Sequence, residues 1–145
     1  MTGAAGSTAP PWAPQPTPTT QPYWDGIAQG ELRIQRCEAC ARHVFYPREY
    51  CPHCGSCSLA WVRATGHARV VTYVISYKPA RGFEERCPYV IAIVELDEGV
   101  RMMTNLVDIE PSPDVIALDM QVQVTFRIHD GITLPLFRPT SGGRP

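Results

Sequence analysis

Lysine occurs once, at Lys78, among the thirteen basic residues of this 145-residue chain, and asparagine occurs once, at Asn105. That bias fits a GC-rich genome and concerns origin, not function. Thirteen basic residues face fourteen acidic ones, for a formal net charge of −1. The cationic surplus that supports binding to a phosphate backbone is therefore missing, which disfavours nucleic acid as a partner. No stretch approaches the roughly 20 apolar residues needed to span a bilayer. The first residues also lack the basic-then-apolar order of a secretory signal. A cytoplasmic protein without a membrane segment is expected, with room for one ordinary domain and an appendage.

Cysteine is present, six times. In a reducing compartment six cysteines argue for metal or redox chemistry rather than for a disulfide framework. Cys37 and Cys40 form one CxxC pair, and Cys51 and Cys54 form a second after ten intervening residues. Two such knuckles present four thiolates, which suits the tetrahedral preference of Zn2+ in a ribbon hairpin. A closed four-sulfur shell leaves no position for water or substrate, so one structural zinc is expected, with rubredoxin-like iron as the rival metal. His43 and His53 lie beside an already complete shell and are expected at the surface, with tuning of the thiolates through a hydrogen bond as the further role open to His53. Cys57 and Cys87 have no surroundings that mark a nucleophile.

Around the knuckles the chain divides by composition. Residues 1 to 22 are rich in proline, from Pro10-Pro11 through Pro18, and predict a disordered leader; residues 140 to 145 form a short tail. Trp24, Ile27 and Ala28 fall at helical spacing and Gly30 stands where a helix stops, so Tyr23 to Gly30 predicts one short helix. The helix and ribbon together occupy 23 to 60. Beyond them, Ala68 to Tyr77, Tyr89 to Leu96 and Arg101 to Val107 are dense in β-branched and aromatic residues and predict strands. Asp97-Glu98-Gly99 predicts a hairpin turn between the last two. From Gln121 to Ile128, Val122, Val124, Phe126 and Ile128 alternate with polar residues, as in a strand buried on one face. A fifth strand follows at Leu134 to Phe137. Five strands with little helix, over 61 to 139, suit a small Greek-key barrel of the OB type.

The sequence shows no phosphate-cradling glycine loop, GxSxG elbow or HExxH motif, and His67 and His129 are isolated. The chain is not expected to be catalytic alone. The loop from Lys78 to Pro88 is long for a compact barrel and carries Lys78, Arg81, Phe83 and Arg86. Contact with a partner protein ranks first for it. Acyl-CoA binding is an alternative, with the cations on phosphates and Phe83 on adenine. Single-stranded nucleic acid stacked on Tyr73, Tyr77 and Phe83 beside Arg127 is a third reading.

The order of motifs resembles one family over nearly the whole chain between the tails. It includes Pro22-Tyr23-Trp24-Asp25-Gly26, the two knuckles, Tyr46-Pro47-Arg48, Pro88-Tyr89-Val90, Glu98-Gly99-Val100-Arg101 and Phe137-Arg138-Pro139. The family is that of rubredoxin-like zinc ribbons fused to OB-folds, once classed as domains of unknown function. One departure stands before Val122, where the family pattern leads one to expect glycine and this chain has Leu118-Asp119-Met120-Gln121. The resemblance implies a mainly β protein: a short N-terminal helix and rubredoxin-like zinc ribbon, then a five-stranded OB-fold barrel. It also implies an acyl-CoA-associated, non-catalytic subunit of a thiolase-like enzyme, such as the retro-aldolases of steroid side-chain degradation that resemble lipid-transfer-protein thiolases. In that setting Tyr23, Trp24 and Ile27 are the expected docking face, since aromatic anchors dominate desolvated interfaces.

Overall fold

A computed structural model describes residues 9–140. The helix α1 spans Gln21–Ala28, two residues earlier than the spacing suggested. Pro22 sits in the first turn, where its missing N–H would have had no partner in any case. Gly30, in the left-handed region at φ +79°, ends it. Eight residues do not hold a helix in water. What holds this one is burial of Tyr23 and Ile27, one turn apart, in the main core. Gly26 permits the close approach: a Cβ there would lie 2.7 Å from the Arg33 side chain and 2.9 Å from the Glu31 carbonyl oxygen.

The leader differs from the expectation of disorder through residue 22. Residues 1 to 8 lie outside the described part of the chain, but within residues 9 to 20 the leader touches the rest of the fold at two points while residues 15 to 18 stay exposed. Trp12 packs on Phe83 and His129 with ring centroids 5.0 and 5.2 Å away, and Thr20 is buried. The reason is the single tryptophan, which gives an otherwise polar and proline-rich segment apolar area to bury. Of the expected tail, residues 141 to 145 also lie outside the described residues.

The ribbon is a three-stranded antiparallel sheet of β1 (Arg33–Cys37), β2 (His43–Val44) and β3 (Leu59–Arg63), in the order β2-β1-β3. The Gln35 side chain is buried and bonded through both its nitrogen and its oxygen. Its amide nitrogen donates to the Arg48 carbonyl and its oxygen accepts the Arg48 N–H, both at 2.8 Å. The boundary expected after residue 60 falls inside β3, whose residues pair with β1 from Leu59 to Arg63. Trp61 and Val62 already pack on the main core, so the sheet joins ribbon to barrel.

The strands β4 (His67–Ser76), β5 (Tyr89–Leu96), β6 (Arg101–Leu106), β7 (Gln121–His129) and β8 (Ile132–Pro139) close into a barrel in the order β4-β5-β6-β8-β7. This is the expected five-stranded OB architecture. The β5–β6 hairpin turns at Asp97 to Gly99, with Gly99 at φ +94°, and its strands are antiparallel as expected. Along β5, Val90, Ala92, Val94 and Leu96 all point inward. In β4 the parity changes: Ala68 and Val70 are buried, whereas beyond Val71 the inward residues are Tyr73 and Ile75. A bulge between Val70 and Thr72 shifts the register against β5 and turns the later half of the strand over. The alternation read in β7 fades toward its end, where Ile128 is 70% exposed. Ile128 pairs with Thr133 at the tip of the β7–β8 hairpin, beyond the reach of the core.

Closure between β6 and β8 is narrow. One residue pair, Leu106 with Phe137, forms the parallel contact. The Val107 N–H donates to the Phe137 carbonyl at 2.8 Å and the Thr104 hydroxyl donates to the Pro135 carbonyl at 3.2 Å. Alongside this contact the surface opens into a cleft. Among the described residues no helix is long and apolar enough to cross a membrane.

Candidate metal centre and barrel cleft

The two knuckles fold alike. The Ala41 N–H donates to the Cys37 carbonyl and the Gly55 N–H to the Cys51 carbonyl, each at 2.8 Å. Ala41 and Gly55, each following the second cysteine of its pair, adopt φ of +67° and +82°. These turns aim four sulfurs at one point. Cys37 Sγ lies 3.6 Å from Cys54 Sγ, Cys40 Sγ lies 3.7 Å from Cys51 Sγ, and all four fall within 4.8 Å of one another. A tetrahedron with Zn–S bonds of about 2.3 Å has edges of about 3.8 Å, so the donor set fits a zinc ion.

Backbone N–H groups support the sulfurs. Cys40 donates to Cys37 Sγ at 3.5 Å and His53 to Cys51 Sγ at 3.3 Å. Chiefly because of the Cys40 N–H, the Cys37 thiol is pulled down to about 6. The N–H of Ser56 pulls Cys54 down in the same way, but the neighbouring sulfurs, Cys37 first, together with desolvation outweigh it and push Cys54 up to about 11. His53 is exposed, and it does make a hydrogen bond to the sulfur cluster. Its main chain, not its ring, reaches a sulfur, while ring Nδ1 lies 3.3 Å from Arg42 Nη1. Cys57 is exposed outside the cluster, and the Cys87 thiol contacts the Ser76 carbonyl at 3.5 Å on the barrel.

The three residues expected to form a docking face separate. Tyr23 and Ile27 are 3% and 1% exposed and are consumed by the chain's own core, so their side chains offer no free surface. Burial, with Tyr46 nearby, holds the Tyr23 phenol well above the ordinary tyrosine range. Trp24 is half-buried, edge-on to Tyr23 at 4.8 Å. The aromatic cluster around Tyr23 continues into Phe45 and Tyr46, at 5.6 and 5.9 Å, of which Tyr46 is 43% exposed. The motif Tyr46-Pro47-Arg48 was visible in the sequence, but nothing local to it signalled contact with a helix twenty residues away.

The four loop residues also separate. Lys78 and Arg81 are exposed, Arg86 faces the cleft, and Phe83 is stacked on His129 at 4.6 Å and 18° between planes. Trp12 is tilted against the same pair, so the Phe83 face that adenine would stack on is shared with His129 while its edge reaches the cleft. The cleft beside it measures about 660 Å³. Tyr89, Ile91, Met103, Leu134 and Leu136 give it apolar walls, and Arg86, Asp108 and Arg127 add charge. Arg127 is paired with Asp108. Of the residues considered for nucleic acid, Phe83 and Arg127 both line the cleft, whereas Tyr73 turns inward with its hydroxyl on the Ile116 carbonyl at 3.3 Å and Tyr77 is exposed.

Known proteins match this architecture in both halves. Residues 24–59 match the family model described as ChsH2, rubredoxin-like zinc ribbon domain, and residues 61–127 match ChsH2, C-terminal OB-fold domain. A solved structure described as Ltp2-ChsH2(DUF35) aldolase is 40% identical with a TM-score of 0.78, covering 88% of this chain and 98% of that one. Among curated proteins, one named probable enoyl-CoA hydratase alpha subunit, from Thermomonospora curvata, is 42% identical over 81% of this chain and 36% of its own length. A DUF35 domain-containing scaffold protein from Methanocaldococcus jannaschii is 37% identical over 63% of this chain and 64% of its own. The chain thus spans about a third of the hydratase subunit and somewhat under two thirds of that scaffold protein. Four clustered sulfurs in a ribbon, a closed five-stranded barrel behind it and matches in both place the chain in the DUF35 family, with a ChsH2-type zinc ribbon and OB-fold.

Proposed function

We propose that this chain is a non-catalytic subunit that binds and supports a thiolase-fold partner acting on acyl-CoA thioesters, with steroid side-chain degradation as its setting. The observation that carries the reading is the 40% identity, over nearly all of that chain, to a structure described as an Ltp2-ChsH2(DUF35) aldolase. One Zn2+ per chain, held by Cys37, Cys40, Cys51 and Cys54, would fix the ribbon and leave no open position for substrate. Surface chemistry supports association. Trp24 and Tyr46 give the helix–ribbon side half-covered aromatic groups. On the outer face of β4 and β6, Val74 and Met103 are 59% and 69% exposed. Exposed apolar groups of this kind are what partner surfaces cover.

Co-expression with the thiolase-fold protein encoded nearest its gene, followed by size exclusion and metal analysis, tests the proposal. One peak containing both chains with one zinc per small chain is expected. A zinc-loaded chain that elutes alone beside every such protein overturns it.

The cleft supports a second reading, direct contact with the acyl-CoA. Its apolar walls and the Arg86 guanidinium suit an acyl chain carrying an anionic group. Titration calorimetry of the complex with a CoA thioester should show binding that Arg86→Ala weakens, and unchanged heat for that variant counts against this site.

A further inference from the structure

We infer that Trp12 is a latch: the leader clips its indole onto the loop that walls the barrel cleft and thereby holds that end of the cleft closed. The loop from Tyr77 to Pro88 reaches the cleft through Ala80, Phe83 and Arg86. It is tied to the barrel by the Ala80 N–H on the Tyr89 hydroxyl at 3.0 Å and by His129 Nε2, which donates to the Gly82 carbonyl at 2.9 Å. Trp12 closes over this arrangement from outside, against Phe83 and His129 together.

The loop is shaped to receive the indole. At Gly82, with φ +94°, a Cβ would lie 2.7 Å from both Cδ1 and Nε1 of Trp12, so a residue with a side chain would push the ring away. Yet the attachment consists of ring packing. The Trp12 Nε1–H is buried without a hydrogen-bond partner. The backbone bonds of the leader stay local, with Ala13 on Pro10 at 2.9 Å and Thr20 on Thr17 at 3.0 Å. A buried donor left unpaired offsets part of what the ring contacts contribute, because in water the same N–H would be hydrogen-bonded. With no backbone tether to the barrel and one ring as its main apolar contact, this segment belongs at the low-stability end of the molecule, where local opening occurs. On release, Phe83 loses one of its three ring neighbours, Trp12, His129 and Tyr89. The loop then swings on its remaining ties and the cleft widens. The latch does not depend on which partner the subunit serves.

The test uses the full zinc-loaded chain with Trp12→Ala and Trp12→Phe. Amides of Phe83 and Arg86, bonded to the Ala80 and Phe83 carbonyls at 2.9 and 3.0 Å, report loop opening by hydrogen exchange. The dye 8-anilinonaphthalene-1-sulfonate, an apolar ring system with one anionic group, reports access to the cleft. In Trp12→Ala, exchange within residues 78 to 88 should rise several-fold while β5 and β6 stay as protected as before, and dye fluorescence should increase. Trp12→Phe, which keeps a ring and removes the unpaired donor, should stay close to the wild type in both. Unchanged loop exchange in Trp12→Ala overturns the latch, and so does unchanged dye binding. A Trp12→Ala chain that no longer folds also overturns it, since a latch is dispensable to the fold it fastens.

Discussion

Asp119 donates its backbone N–H to the Val70 carbonyl at 2.8 Å while the Val70 N–H donates to the Met120 carbonyl at 3.0 Å, so the β4 bulge is served by the loop before β7. Asp119 also lies in the stretch Leu118 to Gln121 where a glycine was expected, and it adopts φ +65°. Aspartate tolerates that region better than most residues with a side chain. Its carboxylate returns to Arg69, which is also 2.8 Å from Glu95. Asp119→Ala should therefore lower unfolding stability by about 1–2 kcal/mol, from left-handed strain and the lost pair. Asp119→Gly should lie within about 1 kcal/mol of wild type, since it keeps the turn and loses only an exposed pair. Urea unfolding of both variants checks the order, and equal losses would mean that the pair rather than the backbone dominates.

Ala41 occupies in the first knuckle the place that Gly55 occupies in the second. A Cβ at Gly55 would meet nothing within 4 Å, so the difference between the two positions is backbone strain alone. Ala41→Gly should stabilise the metal-bound ribbon by about 0.5–1 kcal/mol, and Gly55→Ala should cost about the same. Competition with a chromophoric zinc chelator would read this as a few-fold change in affinity in opposite directions.

Metal removal should act on one part of the molecule. The ribbon's own apolar cluster is Cys37, Val44 and Cys51, two of which belong to the four-sulfur set that fits zinc. Structural zinc contributes about 10 kcal/mol or more to such a site. Chelation, or Cys37→Ser, should unfold the two knuckles, with loss of exchange protection around Cys37, Val44 and Cys51. The barrel strands should stay protected, because Val70, Val90, Val94 and Phe137 are buried independently of the metal. Simultaneous loss of barrel protection would show that ribbon and barrel fold as a single cooperative unit.

The Asp108–Arg127 pair sets a pH dependence. A hydrogen bond from Arg127 holds the Asp108 carboxyl below its ordinary 3.8. The folded pKa is the lower one, so the stabilisation is complete above the ordinary value and is lost as pH falls through the folded one. Both side chains are well exposed, at 37% and 43%, which keeps the effect small and salt-sensitive. Arg127→Ala should lower stability only slightly at neutral pH, as expected for an exposed pair. The gap to wild type should close in acid and in high salt, as thermal unfolding along a pH series would show.

Some of this was local enough to read directly. Two CxxC pairs fix four thiolates within short turns, so the metal centre follows from spacing that neighbouring chain alone must satisfy. Gln121 to Phe126 carries a period of two that only a strand accommodates, and Tyr89 to Leu96 is dense in residues that favour strands. The short helix was legible from Trp24, Ile27 and Gly30, but not the fate of its face. Tyr23 and Ile27 look the same in sequence whether they meet a partner or their own core, and packing against Leu32 and Ile34 decided for the core.

The sequence by itself determined the ligand set, the strand order along the chain and the absence of a cationic surplus, because each depends on residue identity and near-neighbour spacing. Tertiary structure decided that a bulge turns β4 over, that Ile128 is exposed, that Phe83 is stacked on His129 and that Trp12 lies over them both. Those contacts join residues 46 to 117 positions apart, for instance Phe83 to His129 and Trp12 to His129. No local periodicity encodes such pairings; they form when barrel closure brings the ends of β4, β5 and β7 to one side and leaves apolar surface for the leader's one large side chain to cover.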